Sequence, residues 1–161
     1  MAATPIILDT DIGDDVDDVF ALLLAARDPA YDLRAVTCVY GQVEARARLA
    51  RHVLDLSDRR GIPVAIGSSN SLAGPVAPGA PGNTMASNDP GLPPVGSQGW
   101  DDLGRRLDPR FGPDLIVECV RHSTEPITLC AIGPLTNVAL ALRAAPDIAG
   151  RLGALVIMGG R

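Results

Sequence analysis

Six aspartates stand within ten residues near the start of the chain, in the segment DTDIGDDVDD at 9–18. Carboxylates this close repel one another and raise each other's pKa, which makes the segment unfavourable without a cation. Ca²⁺ suits such a cluster because it accepts about six to eight oxygen ligands in flexible geometry. The spacing therefore predicts a metal site lined by oxygen. The simpler alternative is a solvated acidic turn at the start of a helix.

The acidity of the chain is concentrated in this one segment. Removing its six aspartates would change the formal net charge from −5 to +1. An acidic chain repels a phosphate backbone, which argues against nucleic acid as a partner. All 14 basic residues are arginines. The lack of lysine excludes mechanisms that need a lysine Schiff base or a P-loop lysine.

The elements around the acidic segment alternate between strand and helix patterns. Apolar runs predict strands at 6–8, 33–40, 63–66, 127–132 and 154–158. Helices are predicted at 17–27, 43–60, 113–122 and 135–143, with a short one after Pro146. This alternation predicts an α/β fold with an open, Rossmann-like core, in which a mostly parallel sheet is flanked by helices on both faces. The acidic segment then begins at the carboxyl end of the first strand, where such sheets bind ligands.

Residues 68–99 interrupt the regular alternation. Six glycines and six prolines fall among these 32 residues without periodicity. We expect a functional flap or a disordered insert, within a single domain that spans residues 1–161. Trp100, which follows directly, is expected to anchor this segment to the body of the domain.

Three arginines of the predicted helix at 43–60 are Arg46, Arg48 and Arg51. Charged side chains are mostly exposed in folded proteins. We therefore expect these arginines to form a solvated face of the helix.

Four segments, taken in order along the chain, resemble one known family. They are ILDTDIGDDVDD, AVTCVYG, ITLCAIGPLTNVALAL and LVIMGG, and they are similar to the nucleoside hydrolases of the inosine-uridine-preferring type. The resemblance covers the whole chain but only the amino-terminal half of the family fold, so the domain looks truncated. It implies Ca²⁺-dependent hydrolysis of the N-glycosidic bond of ribonucleosides to ribose and free base.

The resemblance also implies roles for five residues. Asp11 resembles the calcium ligand that accepts a proton from the attacking water, and Asp18 resembles the second carboxylate ligand. Ile132 matches the position whose backbone carbonyl completes the metal shell. Asp17 resembles the residue that holds a ribose hydroxyl. Gln42 stands where the family often has an asparagine that contacts ribose.

The chain departs from the family pattern in several places. The acidic loop is two residues longer than usual, so Asp14 and Asp15 are expected to be bystanders, and Asp9 is expected to support the ligands without binding metal. The flap has no histidine. A late aspartate ligand and a histidine for the leaving group have no counterpart before Arg161. We therefore expect weak activity from this chain alone, and either a homo-oligomer or a chain that supplies the missing carboxyl-terminal half.

Two other functions remain open from the sequence. Asp9-Thr10-Asp11 fits the nucleophile and acid of a haloacid-dehalogenase-like phosphatase, although Gly13 and the lack of lysine fit that class poorly. The second alternative is a truncated, non-catalytic protein that binds metal or serves in an assembly.

The expected location is the cytoplasm. Three widely spaced cysteines, Cys38, Cys119 and Cys130, lie in apolar stretches, which suits reduced thiols rather than a disulfide framework. The first residues lack the pattern of a signal peptide. The apolar runs are too short to span a bilayer, so no membrane partner is expected.

Overall fold

Strands alternate with helices in the computed structural model of the protein, which describes residues 2–77, 80, 93 and 95–159. The strands are β1 (Thr4–Thr10), β2 (Tyr31–Cys38), β3 (Val64–Ile66), β4 (Ile127–Ala131) and β5 (Leu152–Ile157). The helices are α1 (Asp17–Arg27), α2 (Val43–Leu56), α3 (Gln98–Arg105), α4 (Gly112–His122) and α5 (Thr136–Ala144), with a 3-10 helix at Pro146–Arg151. No helix in this part of the chain is long and apolar enough to cross a membrane.

The strands form one parallel sheet in the order β3-β2-β1-β4-β5. Asp9, near the end of the central strand β1, is in register with Thr37 on β2 and with Ala131 on β4. After β1, the chain adds β2 and then β3 on one side of β1. It then returns and adds β4 and then β5 on the other side of β1. Such a reversal opens a crevice at the carboxyl ends of the central strands. The predicted α/β fold with a parallel sheet is confirmed.

Helices cover both faces of the sheet and enclose two apolar cores. Ile6 and Leu8 of β1 pack in the core beneath α1, α2 and α3, whereas Ile7 between them packs in the core beneath α4 and α5. Successive side chains of a strand point to opposite faces, so a continuous apolar run is needed where both faces are covered. This requirement explains why β1 reads as an unbroken apolar segment up to Asp9.

Helix α3 was not predicted, and it begins at the end of the segment expected to be a flap. The Ser97 hydroxyl accepts a hydrogen bond from the Trp100 backbone N–H at 3.3 Å and so caps the helix. Trp100 is 8% exposed and packs in the same core as Leu103, which confirms that it anchors this end of the segment. Residues 78–79, 81–92 and 94 of the expected flap lie outside the described residues.

The three arginines of α2 are buried, so the prediction of a solvated face is wrong. Arg46 is 0% exposed, Arg51 is 2% exposed and Arg48 is 8% exposed. Their guanidinium groups donate to backbone carbonyl groups of neighbouring loops and helices, which provides hydrogen-bond partners for these buried charges. The acceptors are the carbonyl oxygens of Asp11, Ile12 and Tyr40 for Arg46, Trp100 for Arg48, and Arg59 and Ile62 for Arg51.

Strand β5 forms an exposed apolar edge of the sheet. Leu155, Val156, Ile157 and Met158 are between 40% and 58% exposed. Edge strands usually have charged residues, proline or a covering element that prevents further pairing. No charged residue or proline lies within β5. Strand β5 therefore resembles an interior strand whose outer neighbour is not part of this structure.

Candidate active site

A cleft of about 400 Å³ opens at the carboxyl ends of β1, β4 and β5. Five of the six clustered aspartates line it, namely Asp11, Asp14, Asp15, Asp17 and Asp18. The other described lining residues are 132–135, which follow β4, and 157–159 at the end of β5, and none of them is basic. The cleft is therefore acidic and lies at the edge of the sheet where α/β proteins bind their ligands.

The side chain of Thr10, at the end of β1, contacts Asp18 in the first turn of α1. Asp18 is 7% exposed. The Thr10 hydroxyl donates to Asp18 Oδ1 at 2.5 Å and accepts the Ile12 backbone N–H at 3.1 Å. One side chain thus fixes both the loop after the strand and the carboxylate on the helix. Asp18 is held in a defined position at the wall of the cleft.

Asp11 lies directly against Gly133 in the turn after β4. A Cβ atom at Gly133 would stand 2.9 Å from Asp11 Oδ1 and 2.9 Å from the Asp11 backbone nitrogen. Only a glycine allows the two loops to approach this closely. The preceding Ile132 donates its N–H to the Asp9 carbonyl at 2.9 Å, which extends the β1–β4 pairing to the edge of the cleft. Asp11 and Ile132 therefore border the same space.

Asp9 lies beneath the cleft and is fully buried. Its Oδ1 accepts hydrogen bonds from the Thr37 hydroxyl at 2.5 Å and from Asn137 Nδ2 at 2.8 Å, and its buried Oδ2 has no hydrogen-bond partner in the described structure. A carboxylate enclosed in this way cannot attack a substrate. The geometry thus argues against the phosphatase alternative, which requires Asp9 as an accessible nucleophile.

Asn137, in the first turn of α5, is a site residue that the sequence did not predict. Its Nδ2 donates to Asp9 and to the Cys38 carbonyl at 3.1 Å, and its Oδ1 accepts the Ser68 N–H at 2.9 Å. One fully buried amide therefore ties α5 to the ends of β1 and β2 and to the loop after β3. Its only signal in the sequence is its place in the GPLTN turn.

Burial and mutual repulsion raise the pKa values of the carboxyls at this end of the sheet. Burial raises the pKa of Asp9 to about 7, although the hydrogen bonds from Thr37 and Asn137 oppose the shift. Burial and the nearby charge of Asp18 raise the pKa of Asp11 to about 6. Burial also raises the pKa of Asp18, against the hydrogen bond from Thr10. A bound cation would relieve this repulsion and restore the ionised forms.

The donors around the cleft fit a hard cation. Asp11, Asp18 and the Ile132 carbonyl would supply oxygen ligands, which Ca²⁺ prefers, and the described residues of the cleft lining include no histidine or cysteine. No three acidic, histidine or cysteine side chains in the described part of the chain form a group that could hold a metal ion by themselves. The predicted ligand set contains only two such side chains, Asp11 and Asp18, and its third donor is a backbone carbonyl group.

Four of the five predicted site residues share the cleft. Asp11, Asp17, Asp18 and Ile132 all line it, with Asp17 exposed at its rim. Gln42 does not lie among the described residues of its lining. This exposed residue at the start of α2 lines a different concavity, together with Trp100.

Comparison with known proteins gives one consistent family. The family model described as inosine-uridine preferring nucleoside hydrolase matches residues 6–161. The chain is 36% identical over 160 residues to the non-specific ribonucleoside hydrolase RihC of Klebsiella pneumoniae, covering 97% of this chain and 49% of that protein. It is also 36% identical over 159 residues to the inosine-uridine preferring nucleoside hydrolase of Leishmania major, covering 96% and 48%.

Solved structures agree with the sequence comparison. The structure of an inosine-guanosine nucleoside hydrolase superposes with a TM-score of 0.79 at 30% identity, over 98% of this chain and 48% of the other. The chain thus spans about half the length of the relatives it matches.

Proposed function

Because the chain belongs to the inosine-uridine preferring nucleoside hydrolase family, we propose that it contributes the catalytic cleft of a Ca²⁺-dependent ribonucleoside hydrolase. The reaction is hydrolysis of the N-glycosidic bond to give ribose and a free base. The observation that carries this proposal is the convergence of Asp11, Asp18 and Ile132 on one acidic cleft at the carboxyl ends of β1 and β4.

Two aspartates of the cleft have distinct parts in the proposed reaction. Asp11 lines the cleft and accepts the proton of the attacking water. Asp17, exposed at the rim, accepts a hydrogen bond from a ribose hydroxyl. The negative wall of the cleft stabilises the positive charge that develops on the ribosyl group.

Asp11, Asp18 and the Ile132 carbonyl would hold the Ca²⁺ ion. When bound, this ion would lower the pKa of water and orient it for attack. Thr10 keeps Asp18 in position through its 2.5 Å hydrogen bond, and Gly133 leaves room for Asp11. These two contacts set the positions of the carboxylates before any metal binds.

A further segment, corresponding to the other half of the relatives, completes the site in this proposal. By resemblance, that half supplies another aspartate ligand, the acid that protonates the leaving base and additional contacts to ribose. A general acid contributes roughly 10²- to 10⁴-fold to such a rate. The 161 residues alone are therefore expected to bind Ca²⁺ weakly and to turn over slowly.

The test compares two aspartate variants in the whole protein, including any segments that accompany these residues. Asp11→Asn keeps the shape of the side chain but removes the proton acceptor, and we expect kcat for inosine and uridine to fall by at least about 100-fold. Asp15→Asn is the matched control, because it also removes one negative charge from the cleft lining. It is expected to stay within about threefold of the unaltered protein.

The alternative of a non-catalytic metal-binding protein predicts a different result. No nucleoside would be hydrolysed by the whole protein at any Ca²⁺ concentration, while Ca²⁺ would still raise its melting temperature. Equal loss of activity in Asp11→Asn and Asp15→Asn would contradict the role assigned to Asp11. Release of phosphate from a nitrophenyl phosphate, without release from a nitrophenyl riboside, would favour the phosphatase.

A further inference from the structure

Arg46 is a buried cation directly behind the acidic cleft. It is the fourth residue of α2 and its side chain is 0% exposed, although charged side chains are seldom buried completely. Among the residues that the structure describes, the cleft lining contains no basic side chain. Arg46 is a positive group that the fold places in contact with the acidic loop 11–16, which joins β1 to α1.

The guanidinium of Arg46 binds both loops that border this side of the sheet. Nη1 donates to the carbonyl oxygens of Asp11 and Ile12, the second at 3.0 Å. Nε donates to the Tyr40 carbonyl at 2.8 Å, in the loop after β2. A planar fork with five fixed N–H donors can satisfy several acceptors in one rigid arrangement, which a lysine cannot do.

The same guanidinium pairs with one carboxylate of the cluster. Nη2 lies 2.5 Å from Asp14 Oδ2, and the Asp14 side chain is 13% exposed. This ion pair neutralises Asp14 and turns it toward α2. Asp14, which is expected from the sequence to be a bystander at the metal site, is thus the ion-pair partner of Arg46.

We propose that Arg46 is a positioning residue for the metal-binding carboxylates: it fixes the backbone of the acidic loop and holds Asp14 apart from the ligand set. This inference rests on the Ca²⁺ site proposed above and adds a residue on another helix to it. Groups that orient metal ligands from behind typically contribute about 10- to 100-fold to metal affinity. Arg46 acts through Asp11, whose carbonyl it holds, and does not itself touch metal or substrate.

Arg51 offers a matched comparison on the same helix. It is also buried, it also donates to two loop carbonyls, those of Arg59 and Ile62, and it also pairs with an aspartate, Asp55, at 3.0 Å. None of these partners belongs to the acidic loop. A general stabilising role would therefore be shared by Arg46 and Arg51, whereas a positioning role belongs to Arg46 alone.

The experiment uses two double variants that leave the net charge unchanged, made in the whole protein. Arg46→Met with Asp14→Asn removes the anchor of the acidic loop, and Arg51→Met with Asp55→Asn removes the control pair. Ca²⁺ affinity is measured by calorimetry, and amide hydrogen exchange is followed in peptides that cover residues 10–16. Keeping the charge constant separates positioning from simple attraction between the cleft and Ca²⁺.

We expect the Arg46 double variant to bind Ca²⁺ at least about tenfold more weakly and to exchange faster at 10–16. The Arg51 double variant should stay within about twofold in affinity and should not change exchange in these peptides. Arg46→Lys keeps the charge but not the fork and should show an intermediate loss. If the Arg46 double variant does not fold, the Ca²⁺ affinity of Arg46→Lys tests the positioning role in its place.

Equal affinity in the two double variants, or an unchanged affinity in Arg46→Lys, would overturn the positioning role. Absence of Ca²⁺ binding in the unaltered protein would instead reject the proposed metal site. Exchange at 10–16 would then still decide whether Arg46 holds the loop, because that measurement needs no metal. The failure of the proposed function and the failure of this inference are therefore distinguishable.

Discussion

Single side chains link the loops that form the acidic cleft. Thr10 joins β1 to α1, Asn137 joins α5 to β1 and β2, and Arg46 joins α2 to the acidic loop. Each of these residues donates hydrogen bonds to buried backbone or carboxylate oxygens, which hydrogen bonding stabilises. The carboxylates of the cleft are consequently held in place by three separate elements behind them.

Gly133 provides the sharpest prediction at the residue scale. Ca²⁺ is expected to raise the melting temperature of the protein by binding the folded state alone. Gly133→Ala should reduce or abolish this rise, because the new Cβ would stand 2.9 Å from Asp11 Oδ1 and displace the carboxylate. The measurement is a thermal unfolding series over Ca²⁺ concentrations up to several millimolar.

The control for this substitution is Gly150→Ala, since no atom lies within 4 Å of a Cβ built at Gly150. Its Ca²⁺-dependent rise should match that of the unaltered protein. A full rise in Gly133→Ala would contradict the placement of Asp11 in the metal site.

The aspartates of the site could be predicted from the sequence, but their supporting residues could not. Asp11, Asp17 and Asp18 form a dense local cluster whose repulsion already indicates a cation. Asn137 and Arg46 contact residues 128 and 35 positions away, and no local pattern reports such contacts. From the sequence alone, an arginine in a helix is predicted to be exposed. Only the structure shows the carbonyl groups that accept its hydrogen bonds when it is buried.

The helices and strands followed from local patterns where the chain is regular. Helix α1 was predicted at 17–27 and has those bounds, because acids at its start and Pro29 beyond its end mark it clearly. Helix α2 was predicted to reach residue 60 but ends at Leu56, and the next turn contains Asp58 with φ of 57°. Helix α3 is short and adjoins the glycine- and proline-rich segment, which conceals its pattern.

Strand β5 provides the prediction at the element scale. Its apolar side chains are exposed on both faces, so we expect the 161-residue chain by itself to self-associate. Val156→Lys should shift the chain toward monomer, because association through β5 would bury the new ammonium group. Analytical ultracentrifugation over a range of protein concentrations measures the effect.

Ala149→Lys adds the same charge at an exposed position of the 3-10 helix and serves as the control. It should leave self-association unchanged. A monomeric 161-residue chain, or equal effects of the two lysines, would show that β5 is not the associating surface.

The whole molecule is best understood as one half of a nucleoside hydrolase fold. The described residues place Asp11, Asp18 and Ile132, the proposed proton acceptor and metal ligands, at a single cleft. The relatives are about twice as long as this chain. The apolar edge formed by β5 adjoins the acidic cleft, because Ile157 and Met158 are exposed and line it.

The most direct test of this account is the Ca²⁺ dependence of ribose release from inosine and uridine by the whole protein. We predict that ribose and free base appear in equal amounts, that chelation of Ca²⁺ abolishes the reaction, and that added Ca²⁺ restores it in the unaltered protein but not in Asp11→Asn. Hydrolysis that continues after chelation, or that Asp11→Asn recovers with Ca²⁺, would contradict a Ca²⁺-dependent reaction at the acidic cleft.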